Sequence, residues 1–169
     1  MTTLEDLNKI STEQFVAVLS GIFERSPWVA QRVAPKRPFA NVQALHAAMV
    51  QAIEDEGLES QLKLIRAHPE LAGKAAVRGE LTEESSREQS GAGLNLCSAQ
   101  EFAKLHALND AYNAKFNFPF IVAVRGHNRH SIIALFEQRL HNSVDDERRE
   151  CLQQIYKIGA FRLADLVSA

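Results

Sequence analysis

FNFPFIVAVRG, residues 116–126, decides how this chain of 169 residues is built. It is the only long run of β-branched and aromatic residues in the sequence. Bounded by Pro119 and Gly126, it reads as an extended, mostly buried segment. No second run of this kind is available to pair with it, because everywhere else the apolar residues recur at helical spacing. The chain therefore reads as all-α, a single-domain helical bundle of about eight helices with one extended apolar segment. A lone buried segment leaves the N–H and C=O groups of Ile121, Val122, Ala123 and Val124 in need of partners. A neighbouring loop could supply them, as in an ordinary core segment, or a small heterocycle rich in amide groups could.

On the N-terminal side, Ser11 and Gln14 have the spacing of a capping box. They open an amphipathic helix running to Phe23, with Phe15, Val18, Leu19 and Ile22 at core positions. Further helices are predicted over residues 28–33, 41–54, 59–67, 98–115, 130–140 and 143–167. Residues 26–27 form a turn, and residues 35–38 a loop. The one dense charge run, residues 145–150, mixes signs and reads as the exposed start of the last helix. No repeat, linker or low-complexity tract divides the chain, so residues 1–169 are expected to form one domain.

In KLIRAHPELAG, residues 63–73, Leu62, Ile65 and Arg66 continue a helical pattern. Pro69 lacks an N–H and pushes His68 out of the helical region. His68 is thus fixed at a helix terminus, where the negative end of the helix dipole helps hold a proton on the imidazole. That suits an acid or base, but it equally suits a capping or merely exposed histidine.

LTEESSREQSGAGL, residues 81–94, reads as a short helix. Thr82 is its N-cap, Glu83 and Glu84 complement its positive end, and Gly91 and Gly93 stop it. Between Leu81 and Ala92 it has no apolar residue, so packing of an amphipathic stripe cannot explain why it forms. Ser85, Glu88 and Gln89 fall on one face at i, i+3 and i+4. Either this is a solvated polar helix, or that face, with its hydroxyl, carboxylate and amide, lines a site.

HPELAG at 68–73, SSREQSGAGL at 85–94 and FPFIVAVRG at 118–126 occur in this order. Together they resemble the 2-oxo-4-hydroxy-4-carboxy-5-ureidoimidazoline (OHCU) decarboxylase family of the ureide branch of purine breakdown. The resemblance runs from STEQF at 11–15 through the C-terminal helix. It implies a carboxy-lyase that converts OHCU to (S)-allantoin without metal or organic cofactor, in the cytoplasm, as a homodimer. Carried over residue by residue, it makes His68 the general acid/base and Glu88 the second essential polar residue, accepting ureido or ring N–H bonds. Ser85 and Gln89 would complete the polar face, and Pro69 would border the pocket. Ile121, Val122, Ala123, Val124 and Arg125 would offer backbone groups to the amide-like edges of the substrate. Arg125 and Arg162 are candidates to orient its carboxylate. Pairing an arginine with that carboxylate stabilises the ground state more than a transition state losing the charge, so these are positioning groups. Arg162 equally fits a helix surface, and Arg125 the end of the buried run.

Composition agrees with a soluble globular protein: 46% hydrophobic and 24% charged residues. Nineteen basic against twenty-one acidic residues give a formal charge of -2, which argues against a general nucleic-acid surface. The N-terminus shows no signal-peptide pattern, no run approaches membrane-spanning length, and LVSA is not a peroxisomal address. Cys97 and Cys151 lie far apart without CxxC spacing, so reduced thiols are expected, with Cys97 buried beside a helix. The six histidines show no metal-ligand spacing; His46, His106 and His141 fall singly within helices. Two other outcomes compete with the enzyme. One is a noncatalytic helical module binding a ureide or protein partner, and the other is a related lyase or hydrolase acting on another ureido compound.

Overall fold

The computed structural model describes residues 1–73, 76 and 78–169. Among them are nine α-helices: α1 (Leu4–Lys9), α2 (Thr12–Leu19), α3 (Trp28–Val33), α4 (Val42–Glu56), α5 (Leu58–Ala67), α6 (Glu83–Gly91), α7 (Ala99–Phe116), α8 (Arg129–Arg139) and α9 (Val144–Leu166). The fold is mostly α, as the apolar spacing predicts. Among the described residues, the one sheet pairs two residues with two, Thr2 with Val167 and Thr3 with Ser168, in parallel. Among the described residues, no helix is long and apolar enough to cross a membrane.

The predicted helices lie close to the observed ones, and α3 has the predicted bounds. Ser11 and Gln14 form the expected capping box, yet α2 stops at Leu19 rather than Phe23. Ile22 and Phe23 are buried from the turns that follow, where Arg25 takes a positive φ of 49°. Thr3 caps α1, a six-residue helix that the apolar pattern is too short to announce. His141 lies in the turn after α8, not in a helix.

The chain folds into two units, Met1–Ala67 with Tyr156–Ala169, and His68–Ile155. In the first, the core includes Phe15, Leu19, Phe23, Leu45, Met49, Ile53, Leu64 and Leu163. Gly159 lets α9 approach Phe23 closely, since a Cβ there would lie 2.8 Å from the ring. Arg37 ties this unit's loops together, donating to the Leu7 and Ile10 carbonyls at 3.0 and 2.7 Å.

The second unit is organised around Tyr112. Its ring meets Phe116, Phe118, Phe120 and Phe136 at centroid distances of 4.4–6.0 Å, and Phe120 stacks on Phe136 at 3.9 Å. The aromatic half of FNFPFIVAVRG thereby anchors the extended segment in this core, with burial of each ring contributing about 1.5–3 kcal/mol. Residues 118–124 are all buried and belong to no regular element.

Candidate active site

The turn after α5 is built by amides. His68, the first residue beyond the helix, is buried at 7% exposure, so this helix end does not open onto solvent. Ala72 takes a positive φ of 50°, a conformation that costs an L residue about 1–3 kcal/mol and must be held by its surroundings. Gln89 holds it: the Ala72 N–H donates to Gln89 Oε1 at 3.0 Å, and Gln89 Nε2 donates to the Glu70 carbonyl at 3.3 Å. From α7, Asn109 Nδ2 donates to the Leu71 carbonyl at 3.1 Å and Asn113 Nδ2 to the Glu70 carboxylate.

These bonds explain α6, a helix with no apolar stripe. Its buried residues are Ser85 and Gln89, at 4% and 7% exposure, and Thr82 caps its start. The face predicted to carry the site is the face turned inward, with Glu88 half-buried beside it. Gln89 therefore links the turn carrying His68 and Pro69 to the helix carrying Ser85 and Glu88. Asn109 and Asn113 escaped the sequence reading. Their signal was an asparagine pair at i, i+4 on the face of α7 that also carries Leu105, Leu108 and Tyr112.

The extended segment obtains several partners from side chains. Arg139 Nη1 donates to the Ile121 carbonyl at 2.6 Å, the Cys151 thiol donates to the Pro119 carbonyl at 3.8 Å, and the Ala123 N–H donates to Gln154 Oε1 at 3.0 Å. The Val124 carbonyl accepts from His127 N–H at 2.9 Å across a turn in which Arg125 is exposed. Neither a neighbouring strand nor a heterocycle is needed for these groups, whereas the Val122 peptide groups bond to no described residue. Arg162 lies in the first unit, buried rather than on a helix surface. Its guanidinium donates to the Gly21 carbonyl at 2.9 Å and to Glu24 Oε2 at 3.0 Å.

Behind the segment lies a buried polar cluster. Glu147, read from sequence as part of an exposed charge run, has 0% exposure. Its carboxylate accepts from Arg139 Nε and Nη2 at 2.9–3.1 Å, from Asn142 at 2.9 Å and from the Tyr112 hydroxyl. Burial works against the Arg139 charge, but the Glu147 bond and the surrounding groups more than offset it, so the guanidinium stays ionised. Burial, foremost, raises the Tyr112 hydroxyl and the Cys151 thiol above their ordinary values of 10.0 and 9.0. Both groups are thus neutral in the fold and ionise more readily when unfolded. The stability they contribute is intact below the ordinary thiol value and is lost as the pH climbs past it. The urea midpoint is accordingly expected to fall between neutral pH and about pH 10; a midpoint constant over that range contradicts this account. Cys97 is half-buried rather than buried, and its thiol is also raised, by burial and then by Glu101. Among the described residues, no group of three or more His, Cys, Asp or Glu could hold a metal ion.

Comparison with known proteins shows that residues 8–164 match the OHCU decarboxylase family. The chain belongs to the OHCU decarboxylase family. Its members are carboxy-lyases. The 2-oxo-4-hydroxy-4-carboxy-5-ureidoimidazoline decarboxylase of Haloferax volcanii is 38% identical over 167 residues, covering 99% of this chain and 97% of that one. The uric acid degradation bifunctional protein of a Bacillus species is 39% identical over 166 residues, 98% of this chain but 32% of that protein. The crystal structure of (S)-allantoin synthase superposes with a TM-score of 0.81 at 25% identity, over 99% of this chain and 54% of that one. The three motifs that suggested OHCU decarboxylase from sequence all lie in the second unit.

Proposed function

We propose that this chain decarboxylates OHCU to (S)-allantoin in urate breakdown, with His68 as general acid/base and Glu88 orienting the substrate. The observation that carries the reading is the pair of Gln89 bonds. They tie the His68 turn to the Glu88 helix inside one unit, in a chain with decarboxylase relatives along almost its whole length.

The substrate holds its own electron sink. Its carboxylate is attached to the hydroxyl-bearing ring carbon, and the adjacent ring carbon is doubly bonded to nitrogen. When the bond to carbon dioxide breaks, its electron pair forms a carbon–carbon double bond and the C=N pair moves onto nitrogen, which takes a proton. The resulting enol loses its hydroxyl proton and gains one at the ureido-bearing carbon, giving allantoin. The protein has to orient the ring and handle protons on one face. His68 takes the hydroxyl proton and delivers one to carbon. Glu88 accepts ureido or ring N–H bonds and favours the charged imidazole. Ser85 and Gln89 complete the polar face, Pro69 borders it, and residues 121–125 contribute backbone groups. Arg162, with its charge already matched by Glu24, serves as a positioning group for its own turn. The reading carries with it a homodimer acting in the cytoplasm, with no metal or organic cofactor.

The test is circular dichroism on freshly generated OHCU. Optically active allantoin should appear faster with the protein than without it. A rate unchanged by the protein, with racemic product, would discard the decarboxylase reading.

A further inference from the structure

The peptide groups flanking Val122 are held from one direction. Glu147, Cys151 and Gln154 stand at i, i+4 and i+7 on α9, one face of the helix. Cys151 donates to the Pro119 carbonyl and Gln154 accepts the Ala123 N–H, while Arg139, ion-paired to Glu147, donates to the Ile121 carbonyl. In a trans peptide the N–H and C=O point opposite ways. The bond to the Ile121 carbonyl therefore turns the Val122 N–H away from this face, and the bond to the Ala123 N–H turns the Val122 carbonyl away as well. Val122 is buried at 4% exposure, and neither group bonds to a described residue. A donor and an acceptor are left side by side, the pattern complementary to a ring N–H–C=O edge, in a buried place where an unmet amide is costly.

The orientation of Gln154 is itself fixed. Its Nε2 donates to Glu150 Oε1 at 2.8 Å, which turns the amide oxygen toward Ala123. Resting on the decarboxylase reading, we propose that Gln154, oriented by Glu150, is a positioning residue that presents the Val122 N–H and C=O to a ring amide edge of the ureide. It touches no reacting atom. Its effect passes through the peptide plane between Val122 and Ala123.

The experiment compares wild type, Gln154→Leu, Glu150→Ala and the exchange Glu150→Gln with Gln154→Glu, using OHCU kinetics and amide-proton NMR with (S)-allantoin as the probe. Gln154→Leu should raise KM about tenfold, the loss of one well-placed hydrogen-bonded pair, with kcat nearly unchanged. The exchange restores an acceptor for Ala123 and should recover most of the affinity. Glu150→Ala, which removes no bond to the segment, should raise KM by a smaller factor and serves where Gln154→Leu does not fold. (S)-allantoin should move the Val122 amide proton downfield in the wild type. A folded Gln154→Leu or Glu150→Ala protein with wild-type KM, or a Val122 proton indifferent to (S)-allantoin while the wild type is active, overturns the proposal and leaves the decarboxylase reading intact. An inactive wild type overturns that reading instead, before any variant is made.

Discussion

His68→Asn should slow the formation of optically active allantoin by roughly 10²–10⁴-fold, the range removed with a general acid/base. The asparagine amide fills part of the imidazole volume but cannot exchange a proton with the substrate. The turn should survive the change, because it is held at residues 70–72 whatever side chain stands at 68: Gln89 bonds to Glu70 and Ala72, Asn109 to Leu71 and Asn113 to Glu70. The measurement is the initial rate by circular dichroism, paired with a urea melt. Comparable activity in a folded variant would remove His68 from the mechanism. A Gln89→Leu protein is the useful contrast, since it keeps the imidazole and loses the turn.

The largest loss of stability is expected at Glu147. Replacing it with alanine leaves Arg139, at 4% exposure, as a buried charge without its carboxylate, a situation that costs about 3–5 kcal/mol. Tyr112 and Asn142 lose their acceptor as well. Urea unfolding measures the loss, and Glu147→Gln, which keeps the shape and one acceptor oxygen, should lose less. An unfolding free energy within about 0.5 kcal/mol of wild type, the scatter of ordinary surface substitutions, would mean that the pair is not buried in solution.

These two residues also mark what could be read from the chain. His68 was legible because proline acts locally: Pro69 stops α5 at Ala67 whatever surrounds it. Thr82 and Ser11 announced helix starts for the same reason, through side-chain bonds reaching three residues ahead. Glu147 was misread because its neighbours in sequence are exposed charges, while the groups that bury it, Tyr112 and Arg139, lie 35 and 8 residues away. The extended segment was recognised from its composition. Its partners were not, since Arg139, Cys151 and Gln154 look unremarkable on helices that otherwise follow the apolar pattern. Burial of Ser85 and Gln89 was legible only as a puzzle, a helix with nothing to bury, which the amide bonds of Gln89 resolve.

That polar helix sets different rules for sequence change in two parts of one unit. Around Tyr112, the aromatic packing can exchange side chains of similar volume at modest cost. On α6 there is no area to trade: the turn depends on an acceptor and a donor at fixed places on one side chain, so size and hydrophobicity cannot substitute for Gln89. A redesign that improved α6 by giving it an apolar face would gain helix packing and release the strained Ala72 backbone, taking the histidine's alignment with it.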